Sequence, residues 1–93
     1  MVVGVCTIDL RIPGNASLKG KRSVVRKIKE RVKHTFNVSI AEVHDLDKLQ
    51  RVGLGVAFVS NDSSYVHSTL SKVVNCIDHL YVAEIIDYHI EVW

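Results

Sequence analysis

Arg22, Arg26, Lys29 and Lys33 recur at i, i+4, i+7 and i+11, the spacing that lines side chains along one side of an α-helix, and Lys19 extends the row. A row of like charges repels itself, by about 0.2–0.5 kcal/mol for each neighbouring pair. Glu30 is the one carboxylate in the sequence around it that could relieve this. A phosphate backbone relieves it better, because guanidinium groups bind phosphate in bidentate fashion and ammonium groups supply point charges. The expected chemistry is contact with a polyanion, with Arg11 and Lys21 assisting the row. RNA is expected over duplex DNA, since no helix-turn-helix pattern is present. The plainer alternative is a solvated charged face that only keeps the protein soluble.

The net charge of +2 hides a strong asymmetry. Residues 11 to 33 hold nine Lys/Arg against Glu30 alone, a net +8, while residues 34 to 93 carry a net −5. One side of such a molecule suits a polyanion and another repels it. No apolar stretch approaches the ~18 residues of a membrane helix, and the N-terminus lacks the cationic region of a leader, so a cytoplasmic protein with no membrane contact is expected. Cys6 and Cys76 are too few for a disulfide framework or a zinc pattern and read as reduced, buried small hydrophobes.

Other groupings approach known chemistry without reaching it. Gly14 to Arg22 lies between a strand and a helix, where a phosphate-binding P-loop belongs, but five residues separate its glycines instead of four and Arg22 stands where Ser or Thr would hold magnesium. The segment Val52 to Val59 has the glycine spacing of the RNA-recognition-motif octamer, with Leu54 and Val56 where stacking aromatics belong. Asp87, His89 and Glu91 alternate along one segment and so share a strand face, and Glu42, His44, Asp45 and Asp47 form a second acidic group. Both read as ordinary polar surface, because no further ligand stands at metal-binding spacing. No Ser/His/Asp or Cys/His arrangement can be assigned, so the reading has no catalytic residue, no metal site, no cofactor and no identified small-molecule substrate.

The elements that must position the basic row follow from hydrophobic periodicity. Residues 2 to 12 are β-branched and apolar over a strand's length and stop at Pro13-Gly14-Asn15. Ser17 is the expected N-cap of a helix running to about His34, with Leu18, Val24, Val25, Ile28 and Val32 at helical spacing. Gly20 replaces the Glu or Gln of a capping box, which predicts a frayed first turn. Residues 36 to 44 and 51 to 60 alternate as strands, a second helix starts near Asn61-Asp62-Ser63-Ser64, and residues 82 to 93 read as a fourth strand.

These elements make one domain over residues 1–93, an α/β (α+β) fold of ferredoxin-like β-α-β-β-α-β order: a four-stranded antiparallel sheet in order 4-1-3-2 with two helices on one face. The last strand is then a long apolar edge ending in Trp93, which predicts pairing or covering, and a homodimer is expected.

Three stretches, Ser17 to Ser23, Phe36 to Val43 and Gly55 to Asp62, resemble signature segments of the YlxP-like family of small bacterial proteins, and the resemblance runs over nearly the whole chain. The family usually reads Ser-Leu-Lys-Glu-Lys-Arg where this chain has Gly20. Its function is unknown. The resemblance implies a ferredoxin-like fold and, from the family's frequent gene neighbourhood with ribosome-maturation and translation-initiation factors, a role near RNA or the ribosome. A structural or regulatory homodimerisation module with a protein partner is the competing expectation.

Overall fold

The computed structural model describes residues 1–93. In chain order the elements are β1 (Val2–Arg11), α1 (Leu18–Thr35), β2 (Ser39–His44), β3 (Arg51–Ser60), α2 (Ser63–Asp78) and β4 (Glu84–Val92). The strands form one antiparallel sheet in order β2-β3-β1-β4, the expected ferredoxin-like arrangement.

Alternation along β1 assigns the two sheet faces. Cys6, Ile8 and Leu10 are fully buried beneath the helices, and their cross-strand partners Val56, Leu54 and Val52 on β3 are buried with them. Val25, Ile28 and Val32 of α1 and Val66, Leu70, Val73 and Ile77 of α2 close the core from above. Each fully buried aliphatic side chain contributes about 1.5–3 kcal/mol before entropy is counted. Gly4 belongs to the same buried column, and a Cβ there would collide with Val66 and Leu70, so the missing side chain lets α2 settle onto the sheet.

The other face carries Val5, Thr7 and Asp9 of β1, Gly53, Gly55 and Ala57 of β3, and Asp87, His89 and Glu91 of β4, and no element covers it.

Two boundaries and one register differ from expectation, each for a local reason. Phe36 caps the C-terminus of α1, its N–H donating to the Val32 carbonyl, so β2 starts at Ser39 and not at residue 36. Tyr81 adopts a left-handed φ of 55° after α2, which delays β4 to Glu84. A bulge opposite Asp9 and Leu10 then places an extra residue, Ile86, on the edge strand.

The first turn of α1 is pinned and not frayed. Ser17 Oγ accepts from the Gly20 N–H at 3.0 Å, and Asn15 Nδ2 donates to the carbonyls of Ser17 and Leu49. A Cβ at Gly20 would collide with Asn15 Oδ1, so the glycine leaves the space that the Asn15 side chain occupies.

Lys21 faces inward from the same turn, with 2% of its surface exposed. Its Nζ donates to the carbonyls of Asp45 and Lys48, both at 2.6 Å, and pairs with Glu42 Oε2 at 2.9 Å. Two of its protons are thereby matched to carbonyl oxygens, and the ammonium faces the Glu42 carboxylate as an ion pair in which Glu42 Oε2 accepts no hydrogen bond. This clamp ties the start of α1 to the β2–β3 connection, where Asp45 turns with a φ of 58°.

Both cysteines are free. Burial pushes the Cys6 thiol from its ordinary 9.0 up to about 11, whereas Cys76 is only half-buried. The folded protein keeps the Cys6 proton where an unfolded chain releases it, so this group's linkage leaves stability unchanged below about pH 9 and erodes it between about 9 and 11.

Three outcomes follow for the fold. Lys21→Ala, which strands two carbonyls and a partly buried carboxylate, lowers unfolding stability in urea by about 3–5 kcal/mol. Gly4→Ala lowers it by about 1–3 kcal/mol through overpacking against α2. A thiol titration near pH 8 modifies Cys76 in the native protein and reaches Cys6 only after denaturant is added.

Candidate nucleic-acid interface

The surface that collects the basic residues is set by how α1 buries itself. Val25, Ile28 and Val32 point to the core, so the helical spacing turns Arg22, Arg26, Lys29 and Lys33 onto the flank next to β2. There they line an open groove of about 290 Å³ together with Val25, Glu30 and Glu42. Arg22, Arg26 and Lys33 are exposed and Lys29 is half-buried along its stem, with Lys19 exposed one turn earlier.

None of these five cations has a carboxylate within 4.0 Å: the ion pairs are Arg11–Glu84, Lys21–Glu42, Lys48–Asp45 and His89–Asp87. The row is therefore assembled and solvent-facing without a direct ion pair, although Glu30 and Glu42 line the same groove. Lys27 and Arg31 are likewise unpaired and occupy the other flank of α1, where they and His34 border a second hollow beside Leu80 and Val82. Their charge was legible in the sequence, but their separation from the row is a matter of which side of α1 faces Leu80.

Two residues expected to assist the row do not stand with it. Lys21 is the buried clamp, its ammonium bound to two carbonyls, paired with Glu42 and shielded from solvent. Its wheel position among the core residues of α1 was the available signal. Arg11 lies at the end of β1, opposite Arg51 on β3, and is ion-paired to Glu84 at 3.3 Å. It borders a separate hollow with Lys48 and Arg51, beyond the start of α1.

The remaining motifs resolve structurally. Gly14 takes a left-handed φ of 73° in a turn while Gly20 lies within α1, so the glycines do not form one phosphate-cradling loop. Leu54 and Val56 of the octamer-like segment are core residues, and Gly55 and Ala57 on the open face offer no ring for stacking. Phe58 is buried and meets Tyr65 edge-on at 5.7 Å between centroids, whereas Tyr88 is about half exposed.

Asp87, His89 and Glu91 do share the open face, through their pairing with Asp9, Thr7 and Val5. Only Asp87 and His89 touch, at 3.3 Å, and the Asp87 carboxylate also accepts from the Tyr88 N–H. No group of three or more His, Cys, Asp or Glu is arranged to hold a metal ion. No helix is long and apolar enough to cross a membrane.

Comparison with known proteins places this geometry in a family. In fold the chain is similar to a structural-genomics protein, YJCS, with a TM-score of 0.54 at 11% identity, over 96% of both chains. It is also similar to a REP-associated tyrosine transposase solved bound to a REP hairpin, with a TM-score of 0.52 at 12% identity. That match covers 98% of this chain and 55% of the transposase chain, and at such identities the likeness is one of fold. In sequence it is 36% identical over 77 residues to the uncharacterised protein YlxP of Bacillus subtilis (strain 168), a match spanning 83% of this chain and 84% of YlxP. The model of a protein family of unknown function, DUF503, matches residues 3–90, and with YlxP as a relative over most of its length the chain belongs to this family.

Proposed function

We propose that this protein is a non-enzymatic RNA- or ribosome-associated binding protein of the cytoplasm, which contacts phosphates through Lys19, Arg22, Arg26, Lys29 and Lys33 of α1. The observation that carries the reading is the absence of any carboxylate within 4.0 Å of these five side chains. Surface cations on a merely soluble helix are ordinarily interspersed with acids at i+3 or i+4, which here occurs only at Glu30. Held on a capped 18-residue helix, the row exists before any ligand arrives, so binding does not have to order it.

A second reading, a homodimerisation module with a protein partner, is favoured by β4. Its outer edge has no neighbouring strand, and Ile86, Tyr88 and Trp93 are exposed along it, Trp93 to 66%. An edge of this kind pairs or is covered in a stable protein.

Fluorescence anisotropy with ribosomal RNA fragments at two salt concentrations tests the first reading. Binding is expected to weaken with salt, with a log-log slope of about −0.7 for each phosphate contacted on a single strand. Arg26→Glu with Lys29→Glu abolishes it, and unchanged binding by this variant contradicts the reading. Light scattering tests the second: a dimer shows twice the chain mass of 10.4 kDa at both low and high salt, and a single-chain mass throughout rejects it.

A further inference from the structure

We infer that the α1 row recognises the phosphate backbone of double-stranded RNA and does not read bases, an inference that rests on α1 being the RNA-binding face. From Arg22 to Lys33 the helix rises about 16 Å, long enough for a straight row of cations to meet several phosphates of a rigid backbone. Four cations held at fixed intervals suit a ligand whose phosphates are themselves held in place.

What surrounds the row decides between a duplex and a single strand. Non-specific single-strand binders combine cations with aromatic platforms, and each stacked base contributes about 1–3 kcal/mol. The exposed rings of this protein, Tyr65, Tyr81, Tyr88 and Trp93, belong to α2, the link after it and β4 with its end. α2 packs over β1, β3 and β4, whereas α1 packs over β2, and the Leu80–Val82 link that carries Tyr81 borders the hollow on the other flank of α1. At the end of α1, Phe36 is packed against the core and His34 lies on that other flank, so no ring stands along the row. A single strand laid along the row would lose its flexibility without gaining a stacking partner.

Base edges are equally out of reach. Beside the four cations, the groove is lined by Val25, Glu30 and Glu42, with no Asn or Gln to read adenine. The deep, narrow major groove of an RNA duplex keeps arginines from the guanine edges. A duplex supplies what the row can use, phosphates already fixed in place, at little cost in ordering.

The test compares wild type with the Arg26→Glu, Lys29→Glu double variant, its helical content checked by circular dichroism. The probes are two RNA duplexes of about 16 base pairs with unrelated sequences, and one of their component strands made unstructured. The two duplexes are expected to bind within about twofold of each other and about tenfold tighter than the single strand, with the double variant losing at least about tenfold on both duplexes. Equal or tighter binding of the single strand, or about a tenfold preference between duplexes, overturns the inference while a weakened double variant leaves α1 as the binding face. A folded double variant that binds every probe as wild type does removes that reading and the inference with it.

Discussion

The buried ammonium of Lys21 fixes where α1 sits, and the character of the outer face of that helix depends on it. Bound to the carbonyls of Asp45 and Lys48 and paired with Glu42, it joins the first turn of α1 to the β2–β3 connection. A lysine in this position costs desolvation, which its two hydrogen bonds to carbonyls and its ion pair with Glu42 offset. The result is a helix fixed at its start by Lys21 and by Ser17, Asn15 and Gly20, and along its length by Val25, Ile28 and Val32. With rotation about its axis fixed, the remaining cations have no choice of direction, and the row faces the groove beside β2.

The same sheet separates the charges of the molecule. The α1 cations stand on the helical layer, and Asp9, Asp87 and Glu91 stand on the uncovered face of the sheet. Asp9 and Asp87 are directly opposed across β1 and β4, an unfavourable arrangement that His89, 3.3 Å from Asp87, partly offsets when protonated. With the α1 row concentrated on one flank of the helical layer, a polyanion is drawn to that flank before any contact is made.

The fold was legible because its elements are amphipathic at unambiguous periods. Val52, Leu54, Val56 and Phe58 alternate in sequence as they do in burial, and the apolar positions of α1 recur where the core needs them. Boundaries were less legible where a single backbone conformation decides them, as with the left-handed Tyr81 that delays β4 and the cap at Phe36 that shortens β2. The basic row was also readable, since spacing alone determines which residues share a helix side. Lys21 was not read as buried, although its wheel position lies among core residues, because the oxygens that make burial tolerable come from residues 24 and 27 positions away in the chain. That Arg11 stands apart from the row was not legible for a related reason: its partner Glu84 is supplied by the far end of the sequence. The pinned first turn of α1 escaped notice because it depends on Asn15 reaching the Leu49 carbonyl, a contact no local rule contains.

On the reading proposed above, α1, and not the open sheet face or the β4 edge, is the surface that meets RNA. An NMR titration of the backbone amides with an RNA fragment at low salt tests it most directly. The account predicts perturbations concentrated between Lys19 and Lys33 and along the β2 side of the groove, diminishing as salt is raised. Perturbations concentrated on Gly53, Gly55 and Ala57 of the open face, or on β4 from Glu84 to Val92, with α1 unmoved, would contradict it.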